Sequence, residues 1–128
     1  MTTAVVILNW NGKKMLERFL PSVTAHTQGD AEVIIADNGS TDDSLDFVRA
    51  QYPGLRIIEL DKNYGFAGGY NRALQQVKAD YYVLLNDDVE VTPGWIEPVV
   101  AQMQQHPDTA ICQPKLLMYD QRDTFFTE

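Results

Sequence analysis

Two adjacent carboxylates follow an apolar run in the second half of the chain. Asn86, Asp87 and Asp88 come directly after the run from Tyr81 to Leu85, which is typical of a buried strand. Because side chains alternate along an extended segment, Asn86 and Asp88 are expected on one side and Asp87 on the other. Carboxylate oxygens suit Mg²⁺ or Mn²⁺, and an ion held by few protein groups completes its shell with water and phosphate oxygens. The segment predicts either a cation site for a phosphate-bearing ligand or a strand-ending turn, in which Asp and Asn bond to nearby backbone.

Two more polar turns follow apolar runs earlier in the chain. The turn from Asn9 to Gly12 follows the first run, and the turn from Asp37 to Ser40 follows the second. Open α/β sheets place their ligand crevice at the carboxyl ends of the strands, where all three polar turns would lie. The Asp37 carboxylate can accept hydrogen bonds from a base imide or a ribose hydroxyl, or it can cap the backbone of the next helix.

A glycine-rich segment from Asn63 to Asn71 follows the third apolar run. Its glycines permit positive φ and close approach of the backbone, and the helix behind it offers free N–H groups. The segment is not a G-x-G-x-x-G motif, and it follows the third strand rather than the first, so a dinucleotide-binding fold is disfavoured. Ligand contact and helix–sheet packing both remain open for these glycines.

Short apolar runs alternate with stretches of helical periodicity along the whole chain, which predicts a parallel α/β sheet. The expected fold class is a Rossmann-like, mostly parallel sheet with helices on both faces. The predicted strands, with a short fifth one last, are residues 4–9, 32–36, 55–60, 81–85 and 110–113.

The predicted helices are bounded by prolines and small polar residues. The first helix is expected to kink or end at Pro21, where the backbone N–H is missing. Ser40 is expected to cap the second helix, which should stop before Pro53. A later helix is expected to begin at Thr92, with Pro93 at its first position.

The composition bounds the class of protein. A chain of 128 residues with 45% hydrophobic and 22% charged residues is expected to form one globular domain, and no apolar run is long enough to span a bilayer. The net charge of −8 would repel nucleic acid, so no nucleic-acid partner is predicted. The single Cys112 is expected to be a buried thiol, and the cytoplasm is the expected compartment.

The four polar and glycine-rich blocks, taken in order, resemble those of family 2 glycosyltransferases of the GT-A fold, particularly the rhamnosyltransferase-like branch. The blocks are the segments from Val5 to Gly12, Asp37 to Asp42, Asn63 to Asn71 and Leu84 to Val89. The resemblance covers nearly the whole chain. It implies that the chain is the N-terminal part of a GT-A fold, and that the first two turns hold the nucleobase and ribose of a nucleotide-sugar donor.

The resemblance assigns the donor site residue by residue. Asn9, Asn11 and Asp37 belong to the base and ribose turns, and the glycine-rich block contributes Asn63 and Gly65. The acidic turn corresponds to the D-x-D motif of the family, with Asn86 in place of the first Asp. Asn86 and Asp87 are expected to bind the donor, and Asp88 to coordinate Mg²⁺ or Mn²⁺ with its diphosphate.

The reaction implied is transfer of a sugar, with inversion, from a UDP- or dTDP-sugar to a hydroxyl of a saccharide or lipid-linked acceptor. Because such an acceptor can be lipid-linked, the enzyme could also lie at the membrane surface. An Asp or Glu of the family removes the acceptor proton, and no matching motif occurs before residue 128. Residues 119–128 also show no pattern of a closing helix or strand.

We therefore expect residues 1–128 to be the donor-binding part of a longer enzyme, inactive alone, with the general base beyond Glu128. Two other classes stay open. One is a noncatalytic nucleotide-binding or interaction module, in which the acidic turn is only a cap. The other is a nucleotidyltransferase, although the segment from Asn9 to Lys14 has only one glycine where that class usually has a Gly-rich basic loop.

Overall fold

The computed structural model of the chain describes residues 1–114, 116–117 and 119. Strands and helices alternate along these residues, as the sequence predicts. In chain order they are β1 (Thr3–Asn9), α1 (Lys13–His26), β2 (Ala31–Asp37), α2 (Ser44–Gln51), β3 (Arg56–Glu59), α3 (Gly65–Leu74), β4 (Tyr81–Leu85) and α4 (Glu97–Gln105).

The four strands form one parallel sheet with the order β3-β2-β1-β4. In its register, Asn9 pairs with Asp37, Asp37 with Glu59, and Ile7 with Leu85. The carboxyl ends of all four strands therefore lie along one edge of the sheet. This arrangement confirms the predicted α/β class and brings the polar turns to a common edge.

Both faces of the central strands β1 and β2 are buried, which explains why they read as nearly continuous apolar runs. The expected burial of β4 is wrong on one face, where Tyr82 and Leu84 are 43% and 53% exposed at the edge of the sheet. On one face, α3 packs Tyr70 and Ala73 against alternate residues of the strands, including Val6 and Ile34. The other face carries the intervening residues Val5, Ile7, Val33 and Ile35, and is covered by α1 and α2, whose buried residues are Leu16, Phe19, Leu20, Val23, Ser44 and Val48.

Helix α1 runs through Pro21, so the prediction of an early end there is wrong. Buried residues continue on both sides of the proline, with Leu20 before it and Val23 after it. Side-chain hydroxyls bond to backbone carbonyls around it, since Ser22 donates to Phe19 at 3.1 Å and Thr24 to Leu20 at 3.2 Å. Burial of the apolar face outweighs the roughly 3 kcal/mol that an internal proline costs.

The chain divides into two compact units, Met1–Thr92 and Pro93–Glu128. In the second unit the predicted helix start is wrong, because α4 begins at Glu97 with Pro98 in its first turn. The predicted fifth strand over 110–113 is absent, and Cys112 is half-exposed rather than buried. Residues 120–128, for which no helix or strand is predicted, lie outside the described residues.

Candidate functional site at the carboxyl edge of the sheet

Asn9, the last residue of β1, is completely buried. Its side-chain N–H group donates to Oδ1 of Asp37 at 3.0 Å and to Oγ of Ser40 at 3.3 Å. Its Oδ1 accepts from the backbone N–H of Gly12 at 3.2 Å. Asn9 therefore joins the first turn to the second from beneath the surface of the edge.

Asp37 is the last residue of β2, and only 3% of it is exposed. Its Oδ1 accepts from Asn9, and its Oδ2 accepts from the backbone N–H of Ser40 at 2.9 Å. A carboxylate oxygen has a second lone pair, so these bonds leave some acceptor capacity. Asp37 shapes the second turn directly.

Asn11 is exposed and has a positive φ of 50°, a conformation that Asn tolerates better than most residues. Its Oδ1 accepts from the backbone N–H groups of Thr41 at 2.7 Å and Asp42 at 3.1 Å. Its own backbone N–H donates to Ser40 Oγ at 2.9 Å. The two turns are thus tied by bonds in both directions.

The predicted capping of α2 by Ser40 is wrong. Helix α2 begins at Ser44, with Asp43 as its N-cap residue. The Ser40 hydroxyl oxygen instead accepts the bonds from Asn9 and Asn11, because the tight packing of the two turns brings those donors within reach. The backbone N–H of Ser44 bonds to Asp42 Oδ1 at 3.0 Å.

Asn38 organises the glycine-rich block, and the sequence does not single it out. Its side-chain N–H group donates to Oδ1 of Asn63 at 3.2 Å and to the carbonyl of Gly65 at 3.0 Å. Its Oδ1 accepts from the backbone N–H of Tyr64 at 3.0 Å. Only 3% of Asn38 is exposed. The predicted residues Asn63 and Gly65 are therefore held in place by an amide from the second turn.

The acidic turn opens onto a cleft of about 400 Å³ at this edge. Asn86 and Asp88 are exposed while Asp87 is half-buried, in keeping with the expected alternation. The residues that line the cleft are Leu8, Trp10, Asn38, Asn63, Gly65, Phe66, Asn86, Asp87 and Asp88. Five of the eight predicted site residues thus meet in the cleft, whereas Asn9, Asn11 and Asp37 hold the turns beside it.

Trp10 and Phe66 also line the cleft, and Trp10 is not assigned a role from the sequence. Their side chains are 54% and 66% exposed, which is unusual for such large apolar groups. Exposed aromatic rings beside polar amides suit a ligand with both a flat face and polar edges. The only feature of the sequence that could indicate a role for them is their position within a polar or glycine-rich turn.

Asp87 lies against Gly12 and carries an unfavourable charge. A Cβ atom added to Gly12 would lie 2.3 Å from Asp87 Oδ2 and 2.7 Å from Asn9 Oδ1, so this approach requires glycine. Burial raises the pKa of the Asp87 carboxyl, and the negative charge of Asp88 raises it further. A cation near this turn would offset that repulsion.

The residues of the acidic turn fit a cation that is shared with a ligand. Within residues 1–114, 116–117 and 119, no group of three or more His, Cys, Asp or Glu side chains could hold a metal ion. Asp88, with Asp87 and Asn86 beside it, offers hard oxygen atoms that suit Mg²⁺ or Mn²⁺ when phosphate and water supply the remaining ligands. The oxygen atoms of these three side chains therefore suit a metal ion that is bound to a diphosphate.

The sequence matches the family model described as Glycosyl transferase family 2 over residues 4–125. The chain belongs to this family. The family 2 resemblance inferred from the four blocks is thereby confirmed.

Relatives in this glycosyltransferase family are longer than the present chain. The N-acetylglucosaminyl-diphospho-decaprenol L-rhamnosyltransferase of Mycobacterium tuberculosis is 28% identical over 121 residues, covering 86% of this chain. The matched region is 39% of that relative, so the chain spans well under half of its length.

Solved glycosyltransferase structures share the fold. Residues 1–349 of TarS from S. aureus, in complex with UDP-GlcNAc, match 95% of this chain and 42% of that one, with a TM-score of 0.72 and 20% identity. The mannosyltransferase PcManGT from Pyrobaculum calidifontis, in complex with GDP-Man and Mn²⁺, matches 84% of this chain and 32% of that one, with a TM-score of 0.66 and 20% identity. The predicted GT-A fold is confirmed.

Among the residues that the structure describes, no helix is both long enough and apolar enough to cross a bilayer.

Proposed function

We propose that this chain is the donor-binding part of a glycosyltransferase that uses a nucleotide-diphosphate sugar. The observation that carries the proposal is the cleft at the carboxyl edge, where Asn63 and Gly65 face Asn86, Asp87 and Asp88. A cleft of about 400 Å³ is within the range of small-molecule sites. Its polar amides and carboxylates suit a ligand with hydroxyl and metal-bound phosphate groups.

The donor would lie across the cleft with its diphosphate at Asp88. Asn86 and Asp87 would contact the ribose and diphosphate, while Asn63 and Gly65 bound the opposite wall. Asn9, Asn11 and Asp37 would form the base and ribose side, with Asn9 and Asp37 acting mainly by fixing the turns. Trp10, on the cleft wall, is available to a base or sugar face.

The cation proposed for this site is Mg²⁺ or Mn²⁺, held by Asp88 with support from Asp87 and Asn86. When bound, the cation offsets negative charge on the departing diphosphate. The residues of this chain bind and orient the donor. The Mn²⁺ in the PcManGT structure and the UDP-GlcNAc in the TarS structure support this donor class.

The reaction proposed for the whole enzyme is transfer with inversion to an acceptor hydroxyl. We place its general base outside residues 1–128, so the chain alone would bind a donor without transferring sugar. The name of the M. tuberculosis relative supports a lipid-linked saccharide as acceptor. The UDP-GlcNAc bound to TarS supports a nucleotide-sugar donor, which we propose to be a UDP- or dTDP-sugar. We propose a cytoplasmic location, at the membrane surface where the acceptor is lipid-linked, and no nucleic-acid partner.

Calorimetric titration of UDP and dTDP, with and without Mn²⁺, tests the proposal. Mn²⁺ should strengthen binding of at least one nucleotide, and Asp88→Asn should abolish that gain. Asp30→Asn is the matched control, because Asp30 is exposed at the opposite, amino edge of the sheet and should leave the gain unchanged. If the wild-type chain binds neither nucleotide, or binds each equally well with and without Mn²⁺, the noncatalytic module becomes the better interpretation. Release of pyrophosphate from a nucleoside triphosphate and a sugar phosphate would instead indicate a nucleotidyltransferase.

A further inference from the structure

Tyr70 connects the interior of the protein to the start of the acidic turn. It lies on α3, and only 3% of it is exposed. Its hydroxyl group donates to the backbone carbonyl of Leu85 at 2.9 Å, in a buried hydrogen bond. Leu85 is the last residue of β4, and Asn86 follows it directly. The Tyr70 hydroxyl thus contacts the root of the acidic turn, and its oxygen also accepts from the backbone N–H of Leu8 on β1.

The acidic turn leaves the sheet where strand pairing ends. Leu85 pairs with Ile7 in the last register position between β1 and β4, so Asn86 and the residues after it extend beyond that ladder. Further along, the backbone N–H of Val91 donates to Ser22 Oγ at 3.1 Å. Residues 86–90 lie between these two hydrogen bonds, and the first three of them form the acidic turn. The Tyr70 bond therefore fixes the end of the turn that is nearer to Asn86.

Helix α3 also contributes residues to the cleft. It begins at Gly65, and Phe66 of its first turn lines the cleft. The Phe66 ring meets Tyr70 edge to face, with 5.1 Å between ring centroids and 74° between their planes. Tyr70 is one helical turn further along the same helix. A single helix therefore carries both a residue that lines the cleft and the partner of Leu85 at the root of the acidic turn.

We propose that Tyr70 is a positioning residue for diphosphate and metal binding, acting through Leu85 on the placement of Asn86, Asp87 and Asp88. The inference rests on the proposed function. Replacement by Phe keeps the buried ring and removes only the hydroxyl, so the Leu85 carbonyl loses its partner. The acidic turn then loses a fixed starting point, while the base and ribose turns keep all their bonds.

Titration of UDP with and without Mn²⁺ tests this role in Tyr70→Phe. The gain in affinity due to Mn²⁺ should fall roughly fivefold to tenfold, as expected for one buried hydrogen bond. UDP affinity without Mn²⁺ should change less than about twofold, because the hydrogen bonds that Asn9, Asn11 and Asp37 make across the first two turns do not involve Tyr70. Circular dichroism and thermal unfolding, measured in parallel, should show a folded variant.

Tyr82→Phe is the matched control. The Tyr82 hydroxyl also donates to a backbone carbonyl, that of Val77 at 2.8 Å, and Tyr82 is on the same strand, β4, but does not line the cleft. It should leave the Mn²⁺-linked gain unchanged.

Each outcome decides between the two proposals. A Mn²⁺-linked gain that Tyr70→Phe retains in full would overturn the positioning role alone. A Tyr70→Phe chain that is unfolded, or that loses UDP affinity equally with and without Mn²⁺, would show that the bond serves the fold and would also overturn it. Absence of any gain in the wild-type chain would overturn the proposed function, and the positioning role with it.

Discussion

The side chain of Asn9 donates to Oδ1 of Asp37 at 3.0 Å, between residues that are paired in the register of β1 and β2. Two of the three residues that the family resemblance assigns to the base and ribose turns are therefore bonded to each other. Both are buried, and Asp37 also accepts from the backbone of Ser40. The shape of the nucleotide side of the site depends on this buried pair.

Asp37→Asn should destabilise the fold and weaken nucleotide binding together. Each Asp37 oxygen accepts from a protein donor, so an amide group at either position would face another N–H. An unpaired buried donor costs about 1–3 kcal/mol of the free energy of unfolding. Urea unfolding measures this loss, with the exposed Asp46 of α2 changed to Asn as control. Equal midpoints for Asp37→Asn and the wild type would contradict the buried-pair account.

Asn38→Asp should loosen the glycine-rich wall. The side-chain N–H group of Asn38 faces two acceptors, the Asn63 side chain and the Gly65 carbonyl, and a carboxylate would set oxygen against oxygen. UDP affinity should fall about tenfold or more, equivalent to at least about 1.4 kcal/mol. Amide hydrogen exchange at Tyr64, whose N–H bonds to Asn38, should become faster.

Asn71→Asp makes the same chemical change on an exposed part of α3 and should affect neither measurement. Unchanged exchange at Tyr64 in Asn38→Asp would show that the loop holds its shape without this amide.

Gly12→Ala should disturb the acidic turn from the side of the first turn. The backbone φ of Gly12 is −106°, which Ala can adopt, so the effect is purely steric. The added methyl group would lie 2.3 Å from Asp87 Oδ2, and relief of this overlap should cost about 1–3 kcal/mol in stability. The Mn²⁺-linked gain in UDP affinity should fall as well.

Gly54→Ala is the control, because a Cβ atom there would meet nothing within 4 Å. Equal thermal unfolding of the Gly12→Ala and Gly54→Ala chains would mean that Asp87 moves aside without cost.

Tyr70 should make the chain sensitive to alkaline pH. Burial raises the pKa of Tyr70 to about 12, with a smaller contribution from the negative charge of Asp87. The folded state therefore holds this proton more tightly than the unfolded state, whose pKa is near 10. The stabilisation is complete below about pH 10 and is lost as the pH rises towards 12, by roughly 2–3 kcal/mol.

Urea unfolding at pH 9, 10 and 11, run in buffers of equal ionic strength, would measure this loss. Tyr70→Phe should lose stability less steeply than the wild type over this range, because it has no hydroxyl to ionise. Parallel curves for the two chains would mean that Tyr70 ionises without unfavourable burial.

The fold was predictable because its central strands, β1 and β2, are buried on both faces and are separated by polar turns. Val5 to Leu8 and Val33 to Ile35 read as strands from their apolar runs alone, and β4 has the bounds that were predicted. At Pro21 the prediction is wrong because burial of the apolar face of α1 outweighs the local effect of the proline. At Ser40 it is wrong because the hydroxyl group bonds to the first turn instead of capping α2.

The location of the site was predictable, but which of its residues line the cleft and which hold the turns was not. Polar residues at strand ends indicate the edge, so Asn63, Gly65 and the acidic turn were identified. Which amide turns inwards is decided by tertiary contacts, so the role of Asn38 and the mutual bond of Asn9 and Asp37 could not be read from the sequence. The exposure of Trp10 and Phe66 likewise depends on the folded cleft.

The most direct test of the metal diphosphate site is paramagnetic broadening of backbone amide NMR signals by Mn²⁺ in the presence of UDP. The account predicts that signals of Gly65 and of residues 86–88 broaden first, while signals at the amino edge, such as Thr3 and Ala31, stay sharp. Asp88→Asn should remove this selectivity, and Asp30→Asn should keep it. Broadening centred away from the cleft, or the same pattern in Asp88→Asn as in the wild type, would contradict the central claim.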